Sequence, residues 1–145
     1  MDKKEGDDFA ARVYVAFRLP PTSMNAATRR KLWLARMLFS EWAPDAAVNY
    51  VWDNVHPIGT TRRSAYTDRS QMIVLRTGAA EAGRWVEERR DVLADAKAAF
   101  GDTAMAATLL AVASDTDNTG ESAHAGFADL HFVSRSSQCA FSAPR

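Results

Sequence analysis

The chain has 145 residues, 47% of them hydrophobic and 25% charged, which excludes disorder and suits one domain with a buried core. Eighteen basic residues balance eighteen acidic ones, so no net field draws in nucleic acid or an anionic membrane. No stretch approaches the ~20 apolar residues of a membrane-spanning helix, and the charged start MDKKEGDDF lacks the apolar run of a secretory signal.

From Phe9 to Phe17 the sequence reads FAARVYVAF, with Phe9, Ala11, Val13, Val15 and Phe17 at alternate positions. This period of two predicts a strand with one buried face, and it sends Arg12 and Tyr14 to the other face. Pro20 and Pro21 stop the strand because neither can donate to a ladder. Thr22 or Ser23 is a candidate N-cap for a helix over Met24 to Trp42, whose apolar stripe is Leu32, Ala35, Phe39 and Trp42. Arg29, Arg30, Arg36 and Glu41 fall largely outside that stripe and read as a solvated face, and Pro44 ends the helix.

Val48 to Asp53 is a second strand, with Val48, Tyr50 and Trp52 on one side, and Asn54 to Asp68 has the Pro, Gly, Ser and Thr content of a loop. Within Ser70 to Thr77, QMIVLR is apolar on both faces at its centre and predicts an interior strand. Arg84 to Arg89 reads as a strand, followed by a helix capped by Asp91 and closed at Phe100-Gly101. A single helix from Ala80 to Phe100 is the alternative. Thr108 to Asp115 and Gly126 to Arg135 complete the predicted strands, and SSQCAFSAPR reads as a flexible tail from residue 136 to 145. The expected fold is mainly β: an antiparallel sandwich over residues 1–135, carrying one or two helical insertions. A parallel βαβ arrangement is disfavoured, because no glycine-rich phosphate turn follows any strand.

The loop between the last two predicted strands carries the strongest local chemistry. In Asp115-Thr-Asp117-Asn118-Thr119-Gly120-Glu121, oxygen-bearing side chains recur before a glycine that permits a sharp turn, a spacing suited to a hard cation such as calcium. The candidate ligands are Asp115, Asp117, Asn118 and, from the following strand, Asp129. Gly126 stands where a helix-flanked calcium loop would place its bidentate Glu, and an Asx-rich turn that bonds its own backbone explains the same residues. His56, His124 and His131 lie far apart, with no partner at metal-ligand spacing, and the alternation around His131 reads as a partly buried structural histidine. Cys139 is the only cysteine and reads as a free surface thiol. Tyr14, Tyr50, Trp52, Tyr66 and Trp85 offer either a sugar-stacking platform or core packing. Arg12 and Arg76 lie within strands and require ion-pair partners, for which Asp7, Asp8, Asp95 and Asp129 are the candidates. Acidic pairs such as Glu87-Glu88 and Asp91 with Asp95 occur in any chain of this size and carry little signal.

The runs GDDFAARVYVAF, NYVW, IVLRTG, WVEERRDVLADAKAAFG and DTDNTGESAHAGFADLHF resemble the bacterial domain-of-unknown-function family 3047, over about Gly6 to Phe132. Ala128 stands where that family usually has a glycine. The resemblance implies a jelly-roll or galactose-binding-like sandwich, with the family's front strands lying before this chain's first residue and an apolar sheet edge left open to self-association. It also implies export to the periplasm for full-length members. Two functions remain open: a non-catalytic module binding a small molecule or glycan, with or without calcium, and a hydrolase of a cell-envelope polymer using acidic residues near DTDNTG.

Overall fold

A computed structural model of the protein describes residues 8–38 and 43–141. The alternation that begins at Phe9 becomes β1 (Ala11–Arg18), in which Val13, Val15 and Phe17 share one face and Arg12, Tyr14 and Ala16 the other. β2 (Ala46–Asp53) lies antiparallel to it, with Val48 opposite Val15 and Tyr50 opposite Val13. β4 (Ser70–Thr77) runs parallel to β2 and places Ile73 beside Tyr50. β3 (Thr61–Arg63) is a short antiparallel edge on β4, and β5 (Ala106–Ala113) pairs antiparallel with β1 at the other edge. The sheet order is β3-β4-β2-β1-β5.

Each face of this sheet gathers its own apolar cluster. The first holds Val15, Phe17, Leu19, Ala46, Val48, Tyr50 and Ile73, closed by Ala96. The second holds Phe9, Val51, Met72 and Val74. Full burial of side chains such as Val15, Phe17 and Val48 contributes roughly 1.5–3 kcal/mol each, which makes the first cluster the main stabilising body.

α2 (Val92–Phe100) brings Ala96 to that cluster and forms as its sequence dictates. The Asp91 side chain accepts from the Ala94 amide at 3.0 Å, and Gly101, at φ 95°, lets its own amide reach the Lys97 carbonyl. A polar clamp docks the helix: the Tyr50 hydroxyl donates to Asp95 at 2.8 Å, and Arg90 grips the same carboxylate with two bonds of 3.0 and 2.7 Å. Burial, and then the bond to Asp95, pushes the Tyr50 hydroxyl well above its usual range. α1 (Ala26–Leu38) follows a 3-10 turn at Pro21–Ser23. Its cap is neither Thr22 nor Ser23 but Asn25, whose side chain accepts from the Thr28 amide at 2.8 Å. Leu32 and Ala35 of the expected stripe are half-buried, whereas Phe39 and Trp42 lie outside the described residues. Arg36 is no solvated residue: it bonds the Ala43 carbonyl and pairs with buried Asp45 at 2.6 Å, tying α1 to the start of β2.

The fold is mainly β, but the sheet is single and open, and β2 and β4 are parallel. The antiparallel sandwich expected from sequence is therefore corrected in these respects. Two segments that alternate like strands form no ladder. Arg84 to Arg89 is coil, because its charges serve ion pairs instead: Glu88, with Glu81, grips Arg76. Neither does the alternative helix from Ala80 form, since a turn with Gly83 at φ 77° interrupts it. Gly126 to Arg135 is also coil, and Asp129 at φ 51° breaks the extended backbone at its centre. Both segments border the first face, where they and the sheet enclose a cavity of about 1520 Å³ lined by Val13, Val15, Leu75, Trp85, Phe127 and Phe132 among others. The parallel pair is reached without a helix: the chain leaves β2, forms β3 two positions away, and returns as β4 between them.

Candidate functional site

The second face of the sheet carries the polar site. Strand alternation buries Arg12, which is 6% exposed, and a buried guanidinium is tolerated only with partners. Arg12 Nη2 pairs with Asp115 at 3.1 Å, Nη1 donates to the Tyr14 hydroxyl at 3.1 Å, and the guanidinium lies 4.5 Å from the centre of the Phe9 ring. Asp115 also accepts from the Phe9 amide at 3.0 Å, and its own amide reaches the Phe9 carbonyl. One carboxylate thus ties the entry of β1 to the exit of β5.

The rest of the DTDNTG loop closes on Asp8. The Asp8 carboxylate accepts from the Asn118 amide and side chain and from the Thr119 amide and hydroxyl, at 2.7–3.2 Å. Desolvation pushes the Asp8 carboxyl up, but these bonds outweigh it and hold the pKa down at about 2. Gly120, at φ 68°, completes the turn by donating to the Thr116 carbonyl. The amides and hydroxyl of this loop are donors aimed at an anion, a nest for a carboxylate.

Between the loop and the β3–β4 turn lies a cavity of about 290 Å³. Arg12, Tyr14, Asn49 and Met72 come from the sheet, Ser64, Tyr66 and Thr67 from the turn, and Asp115, Asp117 and Asn118 from the loop. Asn49, on β2, is 3% exposed. Its amide nitrogen donates to the Ser70 hydroxyl, while its carbonyl oxygen has no hydrogen-bond partner among the described residues. Exchanging the two ends of the amide leaves the amino group open instead, so one polar end of Asn49 lacks a partner either way.

Asp115, Asp117 and Asn118 thus meet at one cavity, whereas Asp129 borders the larger cavity of the first face, with its carboxylate 3.3 Å from His131 Nδ1. Among the described residues, no three His, Cys, Asp or Glu side chains gather to hold a metal ion. The aromatic set divides as well: Tyr14 and Tyr66 line the polar cavity, and Tyr50, Trp52 and Trp85 line the apolar one. Arg12 and Arg76 are ion-paired as expected, but with Asp115 and with Glu81 and Glu88 rather than with Asp8, Asp95 or Asp129; Asp7 lies outside the described residues. The His131 side chain is 33% exposed, so its ring is partly buried, and its Nε2 lies 3.4 Å from Cys139 Sγ. Sequence spacing assigned that thiol no partner. Cys139, His131 and Asp129 follow the order nucleophile, base, carboxylate, but all three sit on coil, where no regular element fixes their geometry. Sequence reasoning missed Asn49, and it named Asp8 as an ion-pair partner for an arginine rather than as the anchor of the DTDNTG loop. The signal for Asn49 was a polar residue at an inward position of an apolar strand.

No curated protein and no solved structure matches the chain. One family model does, described as Protein of unknown function (DUF3047), and its match spans the sheet, both helices and the loop that grips Asp8. With residues 1–131 matched, the chain belongs to the DUF3047 family.

Proposed function

We propose that this chain is a non-catalytic binding module whose ligand, a small polyhydroxylated molecule of the carbohydrate class, occupies the polar cavity of the second sheet face. The observation that carries this reading is Asn49. A buried amide with one end unpaired costs about 1–3 kcal/mol, a cost that a ligand hydroxyl would remove. The surroundings suit a polyol: the rings of Tyr14 and Tyr66 offer apolar faces for stacking, and Asp117 and Asn118 offer acceptors and donors at the rim. Arg12 is neutralised by Asp115, so an anionic ligand would find little net attraction.

Titration calorimetry with neutral mono- and oligosaccharides tests the reading. Asn49→Ala is expected to weaken binding by roughly 5- to 100-fold, the equivalent of one lost buried hydrogen bond, while the far-ultraviolet circular dichroism stays unchanged. Equal affinity in the wild type and the variant would remove the cavity from consideration. Calcium at Asp115, Asp117, Asn118 and Asp129 would require rearrangement, because Asp115 is committed to Arg12 and Asn118 to Asp8. A thermal shift on adding calcium is the test of that addition. The hydrolase alternative has one observation in its favour, that Asp115 and Asp117 line the same cavity. Against it stands the engagement of Asp115 by Arg12 and by the Phe9 amide, which leaves one carboxylate where the reaction needs two.

A further inference from the structure

We propose that β5 is a self-association edge, on which a second copy of this chain pairs antiparallel to extend the sheet across a twofold axis. The two edges of the sheet differ in kind. β3 is three residues long, exposed throughout, and carries Arg62 and Arg63, so it is short and charged. Natural sheets protect their edges in this way. β5 runs eight residues as AATLLAVA, with neither a charge nor a proline. Among the described residues it is hydrogen-bonded as a strand to β1 alone, which leaves its other row of amides and carbonyls open.

Its side chains are those of an interior strand. Leu109 lies on the second face and Val112 on the first, as their pairing with Ala16 and Val13 dictates, and they are 54% and 45% exposed. Both faces of the strand are therefore apolar and only partly covered, a pattern that belongs between two neighbours. The occupant must also be a strand apolar on both faces, and β5 meets that requirement itself. The register shift near Phe17 leaves Leu109 to Ala113 as the regular stretch. A twofold axis normal to the sheet through Ala111 keeps each face on its own side. It sets Leu110 opposite the second copy's Val112 on the first face, and Leu109 opposite the second copy's Ala113 on the second. Each exposed side chain gains an apolar neighbour, and no charges oppose one another. Such an interface is isologous and closes on itself, so it gives dimers rather than fibres.

Light scattering on the eluting protein over a wide concentration range, together with oxidative cross-linking, tests this. The wild-type chain is expected to dimerise, and Val112→Lys to be monomeric with an unchanged circular dichroism spectrum. In a Cys139→Ser background, Ala111→Cys places the two sulfurs across the axis, where Cα atoms of an antiparallel pair lie roughly 4.5–5.5 Å apart and a disulfide can form. Leu109→Cys should not cross-link, because four residues of offset along the strand separate the two copies by about 13 Å. A monomer at every concentration overturns the proposal, as does a dimer that survives Val112→Lys, which would place the contact elsewhere. Should Val112→Lys fail to fold, the cross-link decides alone, and its absence at Ala111 overturns the axis.

Discussion

Arg12 shows how one side chain organises the polar site. Alternation places it on the second face whatever its charge, and burial there forces the loop after β5 to supply Asp115. Asp115→Asn removes one compensating charge beside a buried guanidinium. The expected loss is about 1.5–3 kcal/mol, the worth of a charge-assisted bond, since Asp115 is itself partly exposed. Urea denaturation measures it, and an unchanged midpoint would show that the other contacts of Arg12 suffice without Asp115. Sequence reading established that Arg12 needed an anion and named Asp7, Asp8, Asp95 and Asp129, of which Asp7 lies outside the described residues. Asp115, a partner it did not name, is far away in the chain, and the register of β5 against β1 decides that pairing.

Among the elements, α2 was legible at its two ends, where the signals are local, although a single helix from Ala80 remained an alternative for its start. A capping aspartate, a run of helix formers and a glycine at the exit act within a few residues, so no tertiary contact has to be known. Asp91→Ala should lower stability by about 0.5–2 kcal/mol, read as a fall in melting temperature; no fall would mean that the Tyr50–Asp95–Arg90 clamp alone holds the helix. The segments Arg84 to Arg89 and Gly126 to Arg135 were misread for the converse reason. Alternation is necessary for a half-buried strand but not sufficient, since a strand also needs a neighbour for its amides and carbonyls. Neither segment has such a neighbour among the described residues, and both settle as coil around the apolar cavity.

At the scale of the whole molecule, carboxylates held below their usual range shape the response to acid, among them Asp53, Asp8 and, through its bond to Lys97, Asp102. Asp53 sits at the end of β2, and although burial pushes its carboxyl up, bonds from the His56 and Val55 amides and from the His56 ring hold it below the usual range. Asp8 is held at about 2. Both groups are depressed in the folded state, so each contributes stability that is fully present above the unfolded carboxylate value of about 4. That contribution is lost as pH falls through the folded value. The urea midpoint is therefore expected to decline from about pH 4 towards pH 2, and Asp53→Asn to flatten the decline. A midpoint constant across this window would show that neither carboxylate is linked to folding.

Read alone, the sequence determined the strands with the strictest alternation, the capped helix, the balance of charge and the DUF3047 family, because each is written in near neighbours or in short motifs. Tertiary structure alone decided that the sheet is open, that β2 and β4 are parallel, and that Asp129 stands apart from Asp115, Asp117 and Asn118. It also decided that Asn49 is buried with one end of its amide unpaired. Those outcomes depend on which distant backbone supplies each hydrogen bond, and in a chain where several segments offer similar alternation, only the assembled sheet selects among them.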